Sequence, residues 1–139
     1  MGLTQDEIER FLAEKRNIVV AAIRKDGRPQ MTPTWFHWEG GRFYVSMSKD
    51  SHKYRNLLRD PRVQLLVDDT SGYKTVIVDG VASFIEGTDE MMPWARKVRG
   101  KHGLEPETDD AMRERIVREQ RVVLVVTPDK PPEQWVSWS

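Results

Sequence analysis

Between Pro29 and Asp69 the chain is cut into short extended runs by closely spaced turn residues, and this punctuation constrains the fold more than any other feature. Residues 31–38 and 42–48 are rich in β-branched and aromatic side chains and flank Glu39-Gly40-Gly41, a pattern that predicts a hairpin. Ser51-His52-Lys53-Tyr54 then opens a short helix. Asp60-Pro61 must end it, because proline has no N–H to donate and disfavours helical geometry in the residue before it. Residues 63–69 follow as a short buried strand.

The flanking segments extend the pattern. Thr4 and Glu7 form a capping box and Leu3 and Ile8 a hydrophobic staple, so residues 5–14 are predicted to be an amphipathic helix whose stripe of Ile8, Phe11 and Leu12 closes one end of a barrel. Residues 17–23 are apolar without alternation, as for a strand covered on both faces, and Lys25-Asp26-Gly27-Arg28 supplies a tight turn. Four successive strands with short connections predict an antiparallel meander. A longer strand over residues 73–86 contains Gly80, expected to mark a bulge or bend where the sheet curls round. Helices are predicted over residues 91–102, stopped by Gly103, and 111–119, capped from Thr108, followed by an apolar strand over 121–127 and a proline-rich, then aromatic, end. There is no internal repeat or linker, and the 139 residues fit one domain with a sizeable core.

Composition narrows the chemistry. Lysine plus arginine and aspartate plus glutamate each number 22, so no long-range attraction to nucleic acid or to an anionic membrane is expected, and any anion must be held locally. The absence of cysteine excludes disulfides, thiolate metal sites and a cysteine nucleophile. Three histidines, at positions 37, 52 and 102, lack metal-ligand spacing. With no long apolar run, neither a membrane span nor a secretory leader is expected, and the cytoplasm is the default location. Without a hydrolase or nucleotide-loop motif, the pattern suits a protein whose cofactor carries the reaction, and no catalytic side chain is singled out.

The best candidate for holding such a cofactor is the start of the short helix. Ser51 is a good N-cap, so the first-turn amides and the positive end of the helix dipole face an incoming anion, with Lys49, His52, Lys53 and Arg55 around them. Lys53 is the first candidate for a phosphate contact, ahead of Ser51 and His52. Arg55 is read either as reaching the cofactor or as pairing with Asp60. Thr32, Thr34 and Ser46 read equally well as ligand contacts or as ordinary strand-surface residues. Trp35 and Phe36 are candidates for walling a ring pocket, while Trp38, Trp94, Trp135 and Trp138 suit a core or interface.

The order Asp26-Gly27-Arg28-Pro29-Gln30, Thr32-Pro33-x-Trp35-Phe36, Gly41-Arg42-Phe43-Tyr44-Val45-Ser46 and Lys53-x-Arg55-Asn56-Leu57-x-x-Asp60-Pro61-Arg62-Val63 resembles the pyridoxamine 5'-phosphate oxidase-like superfamily. Within it, the sequence is most similar to small enzymes that use the deazaflavin coenzyme F420, closely over residues 16–80 and loosely to 138. The resemblance implies a mostly β fold with flanking helices, an FMN-binding split β-barrel of antiparallel Greek-key type. It implies a homodimer with two cofactor sites at the subunit interface, the cofactor being F420 or alternatively FMN. The superfamily's phosphate pattern falls on Ser51, His52 and Lys53, with His52 where arginine is common. The ring would lie along Met31, Thr32, Pro33, Thr34 and Trp35, and against Ser46 and Met47. Asn56 would reach the cofactor tail, and Tyr73 and Lys74 would contact the cofactor of a neighbouring subunit. The implied activity is hydride transfer between F420 and a small conjugated organic substrate. The alternatives are an FMN-dependent oxidase or reductase on the same fold, or a non-catalytic cofactor- or tetrapyrrole-binding protein.

Overall fold

The computed structural model describes residues 2–14 and 16–139. Helix α1 (Gln5–Ala13) precedes strands β1 (Asn17–Ile23), β2 (Pro29–Trp35), β3 (His37–Glu39) and β4 (Arg42–Ser48). Helix α2 (His52–Arg59) leads into β5 (Arg62–Asp68) and β6 (Thr75–Ile85). Helices α3 (Thr88–Lys101) and α4 (Asp109–Arg118) intervene before β7 (Arg121–Pro128) and β8 (Val136–Trp138). No helix among the described residues is long and apolar enough to cross a membrane.

The strands pair antiparallel in the order β2-β1-β5-β6-β7-β4-β3, with β8 added to β6. This is not the predicted meander, nor is residues 31–48 one hairpin. The run 31–38 is split at Phe36: β2 pairs back onto β1, and β3 pairs forward onto β4. The reason lies in the register. Asn17, the first residue of β1, is opposite Trp35, so the chain beyond Trp35 has no partner there. The left-handed Gly40-Gly41 turn, with φ of 59° and 78°, folds residues 37–39 onto 42–44 instead. The two ends of the sheet are therefore consecutive in the chain, and the sheet curls into a barrel whose ends meet at one wholly buried residue, Phe36.

The interior holds Ile18, Val20, Phe43, Leu65, Val76, Leu124 and their neighbours. Helix α1 closes one end with Ile8, Phe11 and Leu12, all fully buried. Its capping box forms as expected, the Glu7 N–H donating to Thr4 Oγ1 at 3.2 Å and the Thr4 N–H to Glu7 Oε1 at 3.1 Å. A second layer lies outside the barrel, where Met91, Met92, Ala95, Met112 and Ile116 of α3 and α4 pack on Tyr44 of β4 and on Val123 and Val125 of β7. Trp94 stacks on Tyr44 with ring centroids 3.9 Å apart. Strand β7 is thus buried on both faces, which masks its alternation in the sequence.

Strand β1 differs from expectation in being covered on one face only within the chain. Its outward residues Val19, Ala21 and Ile23 are half-exposed and continue an apolar surface across the sheet. One row runs Pro33–Val19–Leu66–Ile77–Val136 over five strands. A hollow of about 390 Å³ lies on this same face, lined by Ala21, Ile23, Pro29, Gln64 and Val81 among others.

Gly80 marks a close approach of backbones and not a bulge, since it keeps register with both Val63 and Pro128. A Cβ there would lie 2.8 Å from the Thr127 carbonyl oxygen and from Val126 Cγ1. Gly80→Ala is expected to cost about 1–3 kcal/mol through this overpacking. A shift of the urea midpoint to lower concentration at unchanged slope would show it, and an unchanged midpoint would mean that the strands separate freely.

Candidate functional site

Strand β4 hands over to α2 through Lys49, Asp50 and Ser51. The Ser51 side chain is fully engaged in this turn, donating to the Ser48 carbonyl at 2.8 Å and accepting from the Tyr54 N–H at 3.3 Å. The first helical bond runs from the Arg55 N–H to the Ser51 carbonyl, so the His52 and Lys53 amides precede the ladder and point out of the helix N-terminus. Tyr54 fixes the turn from below, its hydroxyl donating to Glu86 Oε1 at 2.6 Å and its ring edge-on to Phe84.

Beside this cap the barrel is open. Strand β2 ends the sheet path and is paired only with β1, while β3 covers β4 only from Arg42 to Tyr44. The edges of β2 and of Val45–Ser48 therefore face each other without a ladder between them. Proline in a strand is tolerated where its missing N–H would face away from the partner. Pro29 and Pro33 accordingly set the side on which β2 bonds to β1, and the amides of the alternate residues in their phase, Met31 and Trp35, face the opening. Thr32 and Thr34 share the inner face with the fully buried Val20 and Ile18 opposite them, yet are only half-buried because the opening adjoins them.

Within the opening, Thr34, Trp35 and Ser46 line a recess of about 130 Å³ with Arg99 of α3, Arg115 of α4 and Arg121 of β7. Arg121 Nη2 donates to Ser46 Oγ at 2.9 Å. Burial lowers the Arg121 pKa, Arg115 and Arg99 lower it further, and Glu119 and Asp50 oppose them. Lys53 is near enough to this group to feel the Arg121 charge. Among the described residues it has no hydrogen bond or ion pair, and burial together with the Arg121 charge pushes its ammonium below the ordinary lysine value. A half-buried cation with a second cation beside it and no acceptor is a place where an anion binds favourably.

The structure thus brings together Thr32, Thr34, Trp35, Ser46, Ser51, His52 and Lys53 around one opening. Met31 and Pro33 present their side chains to the outer face, Met31 being 66% exposed. Met47 is buried in the barrel core and has only its backbone, already laddered to Val122, on the site. Asn56 is turned onto β2, donating to Gln30 Oε1 at 2.6 Å. Phe36 is core and is not part of the recess lining, whereas Trp35 does line the recess and stacks on His102 with centroids 4.7 Å apart. Arg55 does not pair with Asp60: it donates to the Asp50 carbonyl at 3.1 Å and meets His52 Nδ1 at 3.2 Å, while Asp60 binds Arg62. The three recess arginines escaped the sequence reading, because helical arginines read as solvated charge. The available signal was an arginine at the head of an apolar strand.

Comparison with known proteins identifies the family and the fold. A family model described as pyridoxamine 5'-phosphate oxidase matches residues 4–131. A solved structure of an F420 reductase is 25% identical with a TM-score of 0.71, covering 88% of this chain and 93% of its own. A conserved hypothetical protein from Mycobacterium tuberculosis is 26% identical with a TM-score of 0.82, covering 99% of this chain and 85% of its own. The heme storage protein of Vibrio cholerae shares the fold at 21% identity and a TM-score of 0.68, covering 94% of this chain and 92% of its own.

The hydrogen bond to Glu86, assisted by burial, raises the Tyr54 pKa to about 12. Ultraviolet titration of the folded protein should show one tyrosine ionising only near that pH, and Tyr54→Phe should remove that step. Loss of an earlier step instead would mean that Tyr54 does not anchor α2 through Glu86.

Proposed function

The chain belongs to the pyridoxamine 5'-phosphate oxidase family, and from that premise we propose that it is an oxidoreductase moving a hydride between coenzyme F420 and a small conjugated organic substrate. The observation that carries the reading is Lys53, half-buried beside the α2 N-terminus with no acceptor of its own. The similarity to an F420 reductase supports the choice of the deazaflavin over FMN.

When bound, the deazaflavin supplies a ring that gives or accepts two electrons and a proton as hydride. The protein's part is to bind, orient and exclude water. Lys53 and the His52 and Lys53 amides would hold the phosphate of the cofactor, the ammonium by its charge and the amides by hydrogen bonds. Ser51 contributes by holding the turn, its own hydroxyl being committed to Ser48 and Tyr54. The Met31 and Trp35 amides, with the Thr32, Thr34 and Ser46 hydroxyls, offer hydrogen bonds along the ring's polar edge. Helices α3 and α4 wall the opening on one side and would keep water from a ring and substrate bound there. Asn56 acts one step back, tying α2 to β2 through Gln30.

The reading includes a homodimer. The apolar row across β2, β1, β5, β6 and β8 is a face that a second copy would cover, and residues of that copy would complete the cofactor site. Ala21→Arg, placed in the middle of this face, is expected to shift sedimentation from a dimer to a monomer. Monomeric wild-type protein at micromolar concentration would remove the dimer from the proposal.

Fluorescence titration with F420 and, separately, with FMN tests the cofactor. F420 should saturate and FMN bind more weakly, whereas a yellow flavin spectrum from the purified protein would favour FMN. Lys53→Ala should weaken binding about tenfold or more at an unchanged melting temperature, as a charge-assisted contact contributes about 1.5–3 kcal/mol. Equal affinity in wild type and variant would take Lys53 out of the site.

A further inference from the structure

Arg99, Arg115 and Arg121 come from three separate elements and converge on the same recess, with no carboxylate on its lining. Glu107 holds two of them from behind, accepting from Arg115 Nε and Nη2 at 3.0 Å each and lying 3.2 Å from Arg99 Nε. Glu119 lies 3.8 Å from both Arg115 and Arg121. Three guanidinium groups are thus set against two carboxylates. Arg121 spends one Nη2 bond on Ser46, and its buried Nε has no hydrogen-bond partner. Leaving a buried donor idle is costly, and Arg presents its donors as a planar fork suited to two oxygens of one group.

The recess is small. At about 130 Å³ it lies well below the roughly 300–1,000 Å³ of pockets that enclose whole ligands, so it suits a compact head group and not a fused ring system. Trp35 on its rim, stacked against His102, offers a flat apolar surface to whatever body carries that head group.

We propose that this recess is an oxyanion subsite, distinct from the α2 N-terminus, which takes one carboxylate or phosphate group borne on a planar body lying against Trp35. That the body belongs to a redox ligand rests on the function proposed above; the anion subsite itself does not. The oxyanion comes either from the substrate, which makes that substrate a conjugated acid, or from an acidic arm of the cofactor. Glu107 is a positioning residue here, fixing Arg99 and Arg115 before the anion arrives.

Titration of isotope-labelled protein with inorganic phosphate and with benzoate, followed by NMR at the arginine Nε–H groups, tests the subsite. The Arg121 Nε–H resonance should shift saturably with both probes. Arg99→Met should weaken that response at Arg121 at least tenfold, and Arg121→Met should abolish the response at Arg115, so that the test survives if one variant does not fold. Lys53→Ala should change the affinity for the probes less than threefold. Absence of saturation in the wild type, unchanged affinity in the arginine variants, or loss of the response in Lys53→Ala would each overturn the proposal, the last by putting the anion at the α2 cap. Adding F420 to the benzoate-bound protein separates the sources: displacement assigns the recess to the cofactor's arm, and simultaneous binding assigns it to substrate. Probe binding in a protein that takes neither F420 nor FMN would leave the subsite standing and remove the oxidoreductase reading.

Discussion

One buried aromatic ring, Phe36, holds the two ends of the sheet together. The chain on its N-terminal side is committed to β1 and on its C-terminal side to β4, so the sheet cannot close without passing through it. Because β3 lasts only three residues, the second half of β4 is left without a neighbour on that side. The opening in the barrel is therefore a product of how closure is achieved. Everything ascribed to the site, from the Thr34 and Ser46 hydroxyls to the arginine recess, sits along that unzipped seam.

What could be read from the sequence was what depends on near neighbours. The Thr4 capping box, the Ser51 cap, the stop at Asp60-Pro61 and the Gly40-Gly41 turn are local chemistry, and each forms where expected. Strand partners depend on loop closure over long distances, and nothing between residues 31 and 38 announces that the partner changes at Phe36. The same limit explains the site. Lys53 is legible from the cap chemistry, and Thr34 and Ser46 stand out only through the family resemblance, whereas Arg99, Arg115 and Arg121 are united only when α3 and α4 fold over β4 and β7. Met47 and Asn56 are the converse, residues of plausible type whose side chains the fold uses for the core and for tying α2 to β2.

The electrostatics carry a related lesson. A chain with 22 basic and 22 acidic residues has no formal net charge, yet around the opening its cations are concentrated and its carboxylates set behind them. Short-range arrangement decides where an anion is welcome, because surrounding low-polarity groups strengthen nearby charges and solvent screens distant ones. Burial lowers the pKa of both Lys53 and Arg121 for this reason, and a bound anion would reverse that pressure.

The prolines of β2 have one more effect. An unpaired strand edge is a template on which a stray extended segment, from another molecule or from a misfolded copy, can dock and propagate a fibril. With no N–H at positions 29 and 33, the β2 edge offers a foreign strand an interrupted row of donors, too sparse to register a continuous ladder. A flat heterocycle needs only one or two such donors. The seam can thus stay accessible to a small molecule while being a poor nucleus for aggregation.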